Sequence, residues 1–347
     1  MANITFMIGN GFDISCGLHT SYADFYKWLF SLETADLRVE RLKLKLKEDK
    51  TVDNNYWSDF ELWLGQYTVE FNEVFLDEFL HPFDSVHELM IQFIKNERAK
   101  ISNQLFSSDG INGLKNSVLN FYQELPPISR DAIQNMLNSS RENVVFQFIT
   151  FNYTDCIDLC VKGLSKEPHY EQATIYGKRA YYIKPEVIHV HGRTDLFPVL
   201  GVCDKNYIKN KELLKNQEFS NLILKEKNVI SVGQTWYRDV KQQIANSSII
   251  CLFGLSLGAS DSFWWQEIVG WLKVNKNHHV IVFWHSGFVI NTISSYRYSR
   301  EIRKVQELLV CHSELKPQEK DELLSRVHIV FNSSTMLNIK SCSEQRE

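Results

Sequence analysis

Apolar residues recur along this chain in two spacings, as short runs without polar alternation and as longer stretches with a period of three or four. The first run, Ile4, Phe6, Met7 and Ile8, stops at Gly9-Asn10-Gly11-Phe12-Asp13. Others are Val144–Ile149, Val187–Val190, Ser248–Phe253, Val280–Trp284 and Val327–Phe331, with a shorter segment at Phe197–Leu200. Such runs, rich in β-branched and aromatic residues, predict strands buried on both faces of a parallel sheet. The stretches between them have helical periodicity. One opens at Thr20-Ser21, where either residue can cap a helix that carries Asp24 in its first turn. Asn152 or Thr154 is placed to cap the next helix after the second strand, and further helices are expected over about 204–230, 236–245 and 263–272.

About a hundred residues after the first helix contain no strand-like run. Tyr56, Phe60, Trp63, Leu64, Tyr67, Phe71, Val74 and Phe75 form an aromatic stripe at helical spacing, suited to packing between helices. Helices are predicted at about 84–105, 111–123 and 129–139, with Pro126-Pro127 as a break. The pattern therefore predicts an α/β protein with a doubly wound, mostly parallel, Rossmann-like sheet and a large helical insertion. Residues 1–30 and 143–335 form the core in this reading, 31–142 the insertion and 336–347 a polar tail.

Composition changes this picture little. The 347 residues are 44% hydrophobic and carry a net charge of −4, which supplies no electrostatic case for a nucleic-acid or membrane partner. No run approaches the length of a membrane helix. Seven scattered cysteines without a C-x-x-C pair argue against a zinc site, a disulfide framework or a thioredoxin-type motif, and point to a cytoplasmic chain. The aromatic insertion offers a surface for homo-oligomerisation.

In a doubly wound sheet, ligands sit beyond the carboxyl ends of the strands. Four polar, glycine-bearing segments lie there: Gly9–Asp13, Asn152–Asp155, His191-Gly192 and Gly254–Asp261. Strand, glycine turn and helix bring backbone N–H groups to a phosphate, although the third glycine of G-x-G-x-x-G is missing. Asn152 is either a helix cap or a group that orients water or a ribose hydroxyl. His191 is either a structural histidine or a general base, and with His189 on the same strand face it has the spacing of a metal pair lacking a third ligand. Ser256 and Asp261 can hold ribose hydroxyls, or Ser260 or Asp261 can cap the next helix. Gly254-Leu255-Ser256-Leu257-Gly258 also fits G-x-S-x-G, so a serine hydrolase using Ser256 remains an alternative.

Taken together, IGNGFDISCGLHTSYADF at 8–25, WSDFE at 57–61, TFNYTD at 150–155, HVHG at 189–192, LGVCD at 200–204 and FGLSLGASD at 253–261 resemble the AbiH family of bacterial abortive-infection proteins. The same blocks resemble a diverged sirtuin-type NAD-binding core. That resemblance implies NAD as substrate and an NAD glycohydrolase acting in phage defence, or a module that senses NAD or ADP-ribose. It matches Gly9, Asn10, Gly11, Phe12 and Asp13 to the sirtuin Gly-Ala-Gly-x-Ser loop. Thr150 and Asn152 fall on Thr-Gln-Asn-Ile-Asp, with Asn152 on the catalytic asparagine and Asp155 near the family aspartate. His191 falls on the catalytic His-Gly, and Gly254 and Ser256 on the Gly-Thr-Ser-Leu loop at the adenosine ribose. Asp261 joins this set as a nucleotide-contacting residue. The sirtuin zinc ribbon has no counterpart here, and no metal is expected.

Overall fold

The computed structural model describes residues 1–52, 59–71, 76–106, 108–140, 143–164, 170–174 and 177–339. Tyr56, Val74 and Phe75 of the aromatic stripe and most of the tail lie outside these. The apolar runs become strands β1 (Ala2–Ile8), β2 (Val144–Thr150), β3 (Tyr170–Thr174), β4 (Gly177–His189), β5 (Ile249–Phe253), β6 (His279–Trp284) and β7 (Val327–Phe331). They form one sheet in the order β3-β4-β2-β1-β5-β6-β7, in which only β3 runs antiparallel, as the outer arm of a hairpin with β4. The six parallel strands follow the 3-2-1-4-5-6 order of a Rossmann sheet. Successive strands are added to one side of β1 up to β4 and to its other side from β5 onward, so the crevice beyond the β1–β5 pair is the topological switch point. Phe197–Leu200 is a loop, because Pro198 and the positive φ of Phe197 (43°) keep it out of the sheet.

Fourteen α-helices lie among the described residues, besides short 3-10 turns. They are α1 (Gly11–Ser15), α2 (Tyr22–Ser31), α3 (Leu37–Val52), α4 (Phe60–Tyr67), α5 (Leu76–Ala99), α6 (Ser108–Leu119), α7 (Pro127–Ser140) and α8 (Cys156–Leu164), then α9 (Gln217–Ile223), α10 (Lys225–Ser231), α11 (Trp236–Ala245), α12 (Ser262–Val274), α13 (Ser295–Val310) and α14 (Pro317–Leu324). Ser21 caps α2 by accepting from the Asp24 backbone N–H, as the sequence predicts. The short α1 was not expected; the glycine turn passes directly into it.

The helices pack into distinct cores. Phe25, Leu29, Phe60, Trp63, Phe79 and Phe93 build a separate aromatic core, joined by Leu200, Val202, Phe219 and Ile223 from the later half of the chain. Ile111, Leu114 and Val118 of α6 and Ile133 and Leu137 of α7 instead cover one face of the sheet, against Ile4, Phe6 and Phe146. α11 and α12 cover the other face with Val240, Trp264 and Ile268. Apolar side chains at helical spacing cannot reveal in advance which neighbour buries them. Met336, Leu337 and Ile339, assigned above to a polar tail, are buried in the first face core.

Candidate functional site

Strand register brings the expected loops level. Ile8 pairs with Thr150 and Phe253, and Thr150 with His189, so the segments that follow leave the sheet at one edge. There a cavity of about 500 Å³ opens at the switch point. Gly9, Asn10, Gly11, Asp13, Asn152, His191, Gly254, Ser256 and Asp261 all line it. Phe12 is fully buried in the core below, Thr150 lies in the sheet with its hydroxyl donating to the Ile8 carbonyl, and Asp155 is paired with Arg98 at 2.6 Å; none of the three reaches the cavity wall.

The glycines are required first by each other. A Cβ built on Gly9 or Gly11 meets Gly254 backbone at 2.5 Å, and one on Gly254, whose φ is +65°, meets Gly11 at 2.8 Å. The β1 and β5 loops thus cross in backbone contact, tied by Gly11 N–H to Gly254 O at 2.9 Å. Asn10 is committed as well: Nδ2 donates to the Thr20 carbonyl and Oδ1 accepts from the Thr20 hydroxyl, fastening the loop to the start of α2.

Neither Asn152 nor Thr154 caps α8. Asn152 Nδ2 donates to Asp13 Oδ1 at 3.0 Å, and the Thr154 hydroxyl donates to Asp13 Oδ2 at 2.8 Å. Burial pushes Asp13 up to about 6, against the opposing pull of these two donors. Asn152 Oδ1 is buried and has no hydrogen-bond partner among the described residues. His189 does not converge with His191 on a metal site, because its ring bridges the Asn152 carbonyl (3.0 Å) and Asp158 (2.9 Å). Among the described residues no group of three or more His, Cys, Asp or Glu is arranged to hold a metal ion.

His191 lies in a buried charge network. Its Nε2 is 3.1 Å from Asp261 Oδ1 and 3.2 Å from Lys225 Nζ. Lys225 Nζ also donates to Asp261 Oδ1 at 3.0 Å and to Glu61 Oε2 at 2.7 Å. Phe151 stands edge-on to the imidazole, with ring centroids 5.4 Å apart. Burial and the neighbouring ammonium hold His191 below its ordinary value, so the ring is neutral near pH 7. Asp261 is desolvated, yet Lys225 and His191 outweigh that and hold it well below the usual carboxylate range. Glu61 is pushed up to about 8 by burial and by the adjacent Asp261 and Asp59, despite Lys225. Lys225 stays charged, since its carboxylates outweigh its desolvation. Asp261 occupies the cap position of α12 but makes no capping bond there.

Sequence reasoning missed Glu61, Asp59 and Lys225 as parts of this site, along with Tyr22 and Phe25 of α2 and Phe93 of the insertion, which line the cavity. A signal was present: Glu61 sits between Phe60 and Trp63, and Lys225 directly follows Leu222-Ile223-Leu224. A charge embedded in an apolar run is either paired or functional. The serine-elbow pattern fails on conformation. An elbow strains the serine itself, whereas here the positive-φ residues are Gly254 and Leu257, and Ser256 makes no hydrogen bond to a histidine among the described residues.

Compared with known proteins, residues 5–284 match the family model described as Bacteriophage abortive infection AbiH. Neither the curated proteins nor the solved structures include a match to the chain. No described helix is long and apolar enough to cross a membrane.

Proposed function

The chain belongs to the AbiH family of bacteriophage abortive infection proteins, and on that premise we propose that it is an NAD glycohydrolase with a diverged sirtuin-like site. The observation that carries the reading is the buried, unpartnered Oδ1 of Asn152, a residue that lines a switch-point cavity together with His191 and the ionised Asp261. Cleaving the bond from ribose to nicotinamide develops positive charge on the sugar, and the base leaves with the electron pair as a neutral molecule, so no general acid is needed. Asn152 Oδ1 holds the attacking water. Asp261 opposes the developing charge inside a low-dielectric wall. His191 takes the proton of the water, and Asp261 at 3.1 Å stabilises the imidazolium that results. Lys225 keeps its bonds to Glu61 and Asp261 while Nε2 changes from acceptor to donor.

A second reading, a module that binds NAD or ADP-ribose without turnover, is favoured by one feature: the Lys225 ammonium already faces the nitrogen a base would use. Incubating the purified chain with NAD and following nicotinamide separates the two. Release above the rate of an Asn152→Ala/His191→Ala control supports the glycohydrolase, whereas a rise in melting temperature with ADP-ribose and no release supports the binding module.

A further inference from the structure

A carboxylate in a loop expected to approach phosphate opposes an anionic ligand unless it has another task. Asp13 is 2% exposed and both of its oxygens are occupied, by Asn152 Nδ2 and by the Thr154 hydroxyl. An ionised carboxylate only accepts hydrogen bonds, so the end of the Asn152 amide that faces it must be the NH₂. The planar amide then directs Oδ1 to its other side. The remaining polar groups of Asn152 are also committed: its backbone N–H donates to the Thr150 hydroxyl at 3.1 Å, and its carbonyl meets His189 Nδ1 at 3.0 Å. His189 is itself held by Asp158. Asn152 is thus immobilised at three points, with a single free acceptor on a residue that lines the cavity.

We infer that Asp13 is a positioning residue: by binding Nδ2 it fixes the Asn152 amide in the orientation that offers the cavity an acceptor, so the group docking there is a hydrogen-bond donor, a hydroxyl or a water. The proposal rests on the glycohydrolase reading for what that donor does, but the orientation stands independently of it. A neutral asparagine at position 13 can donate as well as accept. It permits the Asn152 amide to turn over and present NH₂ to the cavity.

The test uses the full chain labelled with ¹⁵N-asparagine, in wild type, Asp13→Asn and Thr154→Val. The Asn152 side-chain signal is identified by its disappearance in Asn152→Ser. In wild type the Asn152 NH₂ pair is shifted and protected from solvent exchange. Asp13→Asn displaces the pair and speeds its exchange in a folded chain, and with NAD lowers kcat by about 10²-fold with KM little changed. Thr154→Val keeps the Asn152 signal near its wild-type position, because the Nδ2 bond survives. An Asn152 pair that is unprotected in wild type, or unmoved in folded Asp13→Asn, overturns the positioning role. A displaced pair in a chain that never cleaves NAD supports it and removes the glycohydrolase reading. NAD cleavage with wild-type kcat in Asp13→Asn retains that reading and overturns positioning.

Discussion

The Glu61 carboxylate and the Lys225 ammonium lie 2.7 Å apart, across a separation of 164 residues, with their side chains 4% and 0% exposed. Glu61 comes from α4 and Lys225 from the first turn of α10, so the pair joins the aromatic helical core to the histidine at the edge of the sheet. A buried ion pair contributes little net stability, because desolvation offsets attraction, but removing one partner leaves an uncompensated charge. Above about pH 8, where Glu61 as well as Asp261 is ionised, Lys225→Met leaves both carboxylates without their cation. It is expected to cost about 3–5 kcal/mol in urea unfolding, and adding Glu61→Gln to recover part of that loss. A loss below 1 kcal/mol (about the level of an exposed pair) contradicts this account of the network.

The pH dependence of stability follows from two raised carboxyls. Asp13 at about 6 faces Asn152, Thr154, His189 and Asp155, and Glu61 at about 8 faces Lys225, Asp261 and Asp59. A folded-state value above the unfolded one means that the native state binds the proton more tightly, so this stabilisation is complete at low pH and fades as pH rises through the folded value. Between pH 5 and 9 these groups lower the melting temperature with increasing pH. Glu61→Gln, which cannot ionise, flattens the upper half of that decline in a calorimetric series. A steeper decline in the variant than in wild type counts against the assignment.

Gly254 supports two demands at once, a φ of +65° and the passage of the Gly11 backbone 2.8 Å from where its Cβ would be. Gly254→Ala therefore carries about 1–3 kcal/mol of backbone strain and also forces the β1 and β5 loops apart. Thermal unfolding reads the first effect. Loss of any nucleotide-induced stabilisation reads the second, and the expectation is that binding falls more than folding. Gly287, whose added Cβ would meet nothing within 4 Å, serves as the control for a positive-φ glycine away from the crossing.

Asn152→Ala and His191→Ala are expected to reduce nicotinamide release by about 10²–10⁴-fold each, the range for groups that move or orient a proton. Ser256→Ala is expected to stay within a few-fold of wild type, since Ser256 is not the strained residue of its loop. The reverse pattern, with Ser256→Ala inactive and His191→Ala intact, supports serine chemistry instead.

Much of the fold was legible in one dimension. A strand buried on both faces is mostly apolar, so Ile4–Ile8, Val144–Ile149 and Ile249–Phe253 announced the parallel sheet (the polar Thr5 and Gln147 within them are buried and hydrogen-bonded to each other), and glycine and polar residues at their carboxyl ends marked the edge where a ligand site forms. Strand order and register then decided that Gly9, Asn152, His191 and Gly254 share one cavity. Neither the tasks of Asp13 and Asp261 nor the membership of Glu61 and Lys225 could be read along the chain. Local rules make Asn152, Thr154 and Asp261 helix caps, because a cap partner lies two or three residues away. Partners 139, 141 and 164 residues distant obey no local spacing. Only the folded chain excludes water from these groups, and with water gone Asp13, Asp261, Glu61 and Lys225 take their partners from across the structure.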